Sequence, residues 1–224
     1  MGYYIDLKSI SIDNYKNKLL NGFLLPSRQI LREKAEEKFN YFKIINIRNV
    51  AELQQTLKKK NKLLEIAGNS LFSEDYLVIL LREINSIQPK PNNISDFVGI
   101  SDDVKFRLSN VGIRNTLQLF DQVINYEKRL ELIEKTGIRE ETILELTRLT
   151  DLSRIKWVGT MFARVLYETG YDSAEKVSKA DYEEMYKRIA TFNKEQHLYK
   201  GQIGLNDMKM CVAAAQEVPL DIEY

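Results

Sequence analysis

A register of 66 residues runs through this chain and limits what it can fold into. Shifted by 66, Ile44-Ile45-Asn46-Ile47-Arg48-Asn49 falls on Asn110-Val111-Gly112-Ile113-Arg114-Asn115. Without a gap, the same shift carries Leu53 onto Leu119, Leu64 onto Leu130, Leu80 onto Leu146, Arg82 onto Arg148 and Asn85 onto Asp151. A third copy of the opening follows 58 residues later. There Glu168-Thr169-Gly170-Tyr171-Asp172-Ser173 falls on Asn110 to Asn115, and Val177 on Leu119. A register held over such lengths means one supersecondary unit used three times.

That unit reads as helical. The four prolines, Pro26, Pro89, Pro91 and Pro219, leave long stretches free of the strongest helix breaker. Leu77, Leu80, Leu81 and Ile84 make one apolar stripe at helical spacing, and Ile143, Leu146 and Leu149 make another. Ser73, Asn49, Ser101 and Asn115 stand where a short polar side chain accepts the first free amides of a helix. Asn46, Gly112 and Gly170 stand where helices end in a left-handed turn. Each copy is therefore a helix, a turn, a second helix and a longer helical return. No segment alternates, so an all-α chain with little or no sheet is expected. The predicted division is an N-terminal extension with one helix (1–25), a degenerate first repeat (26–88), a second (93–153), a third packed on it (154–219) and a tail (220–224). The stretch 88–93 is the linker, and one continuous core is expected.

Charge decides what such an array can meet. Lys and Arg number 33 against 32 Asp and Glu, so the whole molecule exerts no pull on a polyanion, and any such site must be local. The one cysteine, Cys211, excludes a disulfide framework, a cysteine-based zinc site and a four-cysteine cluster. The longest apolar run, Tyr76 to Leu81, is far short of a membrane span, and the first residues lack a signal-peptide layout. A cytoplasmic protein without a membrane partner is expected.

The second and third copies open alike. Phe97-Val98-Gly99-Ile100-Ser101 precedes the helix ending at Gly112, and Ile155-Lys156-Trp157-Val158-Gly159 precedes the helix ending at Gly170. From Ser101 to Gly112 and from Gly159 to Gly170 the spacing is 11 residues. Both openings resemble the helix-hairpin-helix module, whose hairpin reads Gly-hydrophobic-Gly, with Ser101 and Trp157 in place of one glycine each. The chain is thus read as an array of three helix-hairpin-helix-containing repeats. Glycine lets backbone amides approach a phosphate, and the helix start behind them favours an anion. Gly99, Ile100 and Ser101, with Arg154, Lys156, Trp157, Val158, Gly159 and Arg164, are the candidate phosphate-backbone contacts. Residues 152–170 carry three basic residues against one acid, whereas residues 96–119 balance at three against three. The third hairpin is the better candidate.

A second resemblance covers about Asn93 to Pro219. Phe97-Val98-Gly99-Ile100, Leu108-Ser109-Asn110-Val111-Gly112-Ile113, Glu134-Lys135-Thr136-Gly137-Ile138 and Leu149 to Gly159 resemble the domain-of-unknown-function family 4332, a tandem helix-hairpin-helix family. The resemblance implies an Asp-Leu-x-Arg-hydrophobic-Lys-Gly-hydrophobic-Gly run. Asp151, Leu152, Arg154, Lys156 and Gly159 match it, and Trp157 departs. The resemblance carries no activity, and nucleic-acid association follows only from the module.

The remaining candidates read blandly. Lys58-Lys59-Lys60-Asn61-Lys62 is a solvated helix end, His197 an exposed helix-end histidine without ligand partners, and Cys211 a small core residue. No nucleotide loop, nucleophile elbow, metal cluster or cofactor motif is present, so catalysis is not expected. Two classes stay open: a scaffold that meets a protein partner, slightly ahead, and a weak, sequence-independent binder of nucleic-acid backbone. Oligomeric state is not legible.

Overall fold

Short polar side chains set the helix starts. The computed structural model describes residues 2–224. Asp6–Gln88 form one compact unit, and residues 2–5 with Pro89–Tyr224 form another. In the first, α1 (Ile12–Asn21) and a 3-10 segment (Pro26–Arg32) lead into α2 (Ala35–Ile44), α3 (Val50–Lys58), α4 (Lys60–Ala67) and α5 (Glu74–Asn85). In the second, α6 (Asp102–Asn110), α7 (Thr116–Val123), α8 (Tyr126–Thr136) and α9 (Glu140–Leu152) follow a short 3-10 turn (Ile94–Asp96). Then come α10 (Thr160–Glu168), α11 (Ala174–Ser178), α12 (Tyr182–Gln196) and α13 (Leu205–Ala215). The chain is all-α. Among the described residues pairing is limited to isolated bridges, Ser11 with Asn49 and Asn93 with Asn115.

The same local geometry recurs at the same offsets. Asn46, Gly112 and Gly170 take φ of 61°, 84° and 84°. Behind them Ile47, Ile113 and Tyr171 each donate their amide to the carbonyl five residues back, all at 2.9 Å. Asn49, Asn115 and Ser173 then cap α3, α7 and α11 by accepting from Glu52, Gln118 and Lys176. The helical return is two helices each time, α4–α5, α8–α9 and α12–α13, rather than one.

Two boundaries differ from the sequence reading. Residues 10–12 pair with 48–50, through Ile12 N to Arg48 O and Val50 N to Ile10 O, both 3.0 Å. Ile94 N to Arg114 O and Thr116 N to Asn92 O, both 2.9 Å, repeat this pattern for α7. Helix α1 is therefore built into its unit and is no extension, while residues 2–5 belong with the other unit. The tail 220–224 is held by hydrogen bonds. Glu223 N donates to Ile124 O at 2.9 Å, and the Tyr224 hydroxyl donates to Asp151 Oδ2 at 2.9 Å.

A single core runs through the second and third copies. Buried side chains from Ile94 to Val218 form one cluster, including the stripe Ile143, Leu146 and Leu149. The first copy has its own core around Phe39, Phe42, Leu53 and Leu80. The turn at Gly112 offers a clean test. A β-carbon there would meet open space, so Gly112→Val tests backbone conformation alone. Thermal and chemical unfolding should show a loss of about 1–2 kcal/mol; an unchanged melting temperature would contradict the left-handed turn.

Candidate functional site

The third hairpin joins α9 to α10. Ile155 and Val158 plug it into the core at 0% and 5% exposure, and Val158 N closes a turn on Ile155 O at 3.1 Å. Between them Trp157, where the pattern has glycine, adopts φ of 69° and is 44% exposed. That conformation strains a bulky residue. Lys156 lays its ammonium 4.2 Å over the Trp157 ring and is not a free cation. Gly159 is the N-cap of α10 with no side-chain cap, and a β-carbon at Gly159 would meet open space. One open helix start and one engaged lysine therefore face outward here.

Arg154 does not. It is 2% exposed and acts as a rivet. Its Nη1 donates to Asp151 Oδ1 at 3.0 Å, its Nε to Tyr3 O at 3.2 Å, and its Nη2 to Pro219 O at 2.8 Å. The guanidinium lies 4.7 Å over the Phe120 ring. Asp151 in turn uses Oδ2 to accept the Ala174 amide at 2.8 Å, the place that Asn92 O fills for α7. The Tyr3 hydroxyl sits 2.7 Å from Thr116 Oγ1, and burial pushes its pKa up to about 12. The Tyr224 phenol is likewise raised, by burial first and then by Asp151 beside it.

Arg164 is turned inward as well. At 4% exposure its Nη1 pairs with Glu145 at 2.5 Å and Glu168 at 3.2 Å. Its Nε and Nη2 are buried without a hydrogen-bond partner among the described residues. The guanidinium packs under the second hairpin, where a β-carbon on Gly99 would lie 3.1 Å from Nη2. Gly99 takes φ of 86°, Ile100 is 6% exposed, and the Ser101 hydroxyl accepts the Val104 amide as the cap of α6. Gly99, Ile100 and Ser101 border a cleft of about 400 Å³ with Arg107, Arg139 and Glu145. Arg107 is tied to Asp103 at 2.7 Å. The cleft is of mixed charge.

The nine candidate contacts thus divide. Arg154, Arg164, Ile100 and Val158 are interior, Gly99 packs against Arg164, and Lys156, Trp157, Gly159 and Ser101 lie at the hairpin tips. Elsewhere, Lys58 to Lys62 are all exposed where α3 meets α4. His197 is an exposed, left-handed residue closing α12. Cys211 is buried, and burial pushes its thiol pKa up to about 12. Among the described residues no group of three or more His, Cys, Asp or Glu could hold a metal, and no helix is long and apolar enough to cross a membrane.

No curated protein and no solved structure matches the chain. One family does: residues 98–218, from the second hairpin to the end of α13 and just beyond, match the family described as Domain of unknown function (DUF4332). That match spans more than half of the 224 residues, and the chain belongs to this family.

Proposed function

We propose that this protein is a non-enzymatic scaffold for protein contact, built of three degenerate helix-hairpin-helix repeats. The observation that carries this reading is the inward position of Arg154 and Arg164, which leaves the third hairpin with little positive charge for phosphate. Phosphate binding of this kind depends on exposed cations and the counterions they displace. The hairpin tips offer apolar surface instead, with Trp157 and Val98 each 44% exposed. A cytoplasmic setting is part of the proposal, since Cys211 is free. The partner is a protein.

The uncapped start of α10 at Gly159 favours a second reading, weak contact with a nucleic-acid backbone. Fluorescence anisotropy of labelled duplex and single-stranded DNA and RNA separates the two. The scaffold reading expects no binding at low ionic strength that weakens as salt rises, and no difference between the wild type and Lys156→Glu. Salt-sensitive binding that Lys156→Glu abolishes would overturn it.

A further inference from the structure

The unit Asp6–Gln88 holds a cavity that neither hairpin explains. Its volume is about 560 Å³, in the range that accepts small organic ligands. Lys34 and Ser73, the N-cap residues of α2 and α5, both line it, so two helix starts meet at one opening, each with acidic residues in its first turn (Glu36 and Glu37, Glu74 and Asp75). No side chain caps α2, and Lys34 is held at φ of 50°, a strained conformation for lysine.

Helix starts alone select nothing; the second observation is Lys38. It lines the same cavity although the residue is only 6% exposed. Its Nζ lies 3.6 Å over the ring of Tyr76, whose hydroxyl donates to Leu31 O at 3.5 Å. Among the described residues no carboxylate pairs with it, and Glu33 and Glu37 act only from a distance. A lysine whose side chain is buried to this extent ordinarily has a carboxylate beside its ammonium. Here burial pulls the Lys38 pKa below the usual lysine value, against the attraction of Glu33, and Lys34 adds to the lowering. An anion entering the cavity would supply the missing charge.

The walls say which anion. Ile30, Leu71 and Phe72 give the cavity apolar faces, while Glu33 at its edge disfavours a multiply charged guest. We propose that this cavity binds a small organic acid, its carboxylate at Lys38 and Lys34 and its apolar or aromatic body against Leu71 and Phe72.

Amide NMR of the full chain, titrated with phenylacetate, hexanoate, phenylacetamide and inorganic phosphate, tests this. At millimolar concentration, phenylacetate or hexanoate should shift the 30–38 and 70–76 resonances saturably. Neutral phenylacetamide should bind about ten- to a hundredfold more weakly, as the loss of a charge-assisted hydrogen bond implies. Phosphate should not saturate the site. Lys38→Met should abolish the carboxylate response. Lys34→Ala, at the exposed rim, should weaken it and serves if Lys38→Met does not fold. The proposal fails if neither carboxylate gives a saturable shift, if phenylacetamide or phosphate binds as strongly, or if a folded Lys38→Met protein, or Lys34→Ala in its stead, responds as the wild type does.

Discussion

Replacing Arg154 with methionine should lower the unfolding free energy by about 3–5 kcal/mol, the cost of removing one partner from a buried ion pair. The change leaves the Asp151 carboxylate facing an apolar side chain while both are shut away from water. It also strips the Tyr3 and Pro219 carbonyls of their donor, which removes one tie each from residues 2–5 and from the chain after α13. Chemical denaturation followed by the emission of Trp157 reads this unit directly, because the chain has one tryptophan. An exposed phosphate ligand would behave otherwise, since surface substitutions cost within about 0.5 kcal/mol. A small effect would therefore return Arg154 to the surface. The double variant Asp151→Asn/Arg154→Met should cost less than the sum of its parts, by about 0.5–3 kcal/mol.

Gly99→Val should cost about 2–5 kcal/mol, more than Gly112→Val. Both residues are left-handed, and a β-branched side chain pays about 1–2 kcal/mol for that conformation. At Gly99 the new β-carbon also meets Arg164 Nη2 and Cζ at 3.1 and 3.2 Å, an overpacking of about 1–3 kcal/mol. The guanidinium cannot swing away freely, because Glu145 and Glu168 hold Nη1. Urea unfolding of the two variants side by side gives the comparison. Equal losses at both positions would mean that Arg164 yields without cost and does not brace the hairpin.

Much of the fold was legible because its signals are local. Asn49, Ser73, Ser101 and Asn115 cap the helices that follow them, as short polar residues before an amphipathic run should. Asn46, Gly112 and Gly170 take up left-handed backbone at matched offsets. What escaped depends on partners distant in sequence. Arg154 reaches Tyr3, 151 residues away, and counting it as a surface cation overstated the charge of the third hairpin. The clue for Arg164 was nearer: Phe162, Ala163, Val165 and Leu166 around it are all buried, so an apolar helix carried one arginine inward. Lys38 falls on a stripe with Ala35, Phe39 and Phe42, spaced three, four and seven along α2, and that spacing foretold its burial. The boundary near Pro26 misled because the pairing of residues 10–12 with 48–50 leaves no compositional mark.

The emission of Trp157, titrated with duplex and single-stranded oligonucleotides at low and then rising salt, tests the central claim most directly. The residue is 44% exposed at the tip of the third hairpin, so any phosphate backbone seated there must change its surroundings. A scaffold whose arginines lie inside the fold predicts an emission unchanged by nucleic acid at every salt concentration. A saturable shift or quench that fades as salt rises would contradict it.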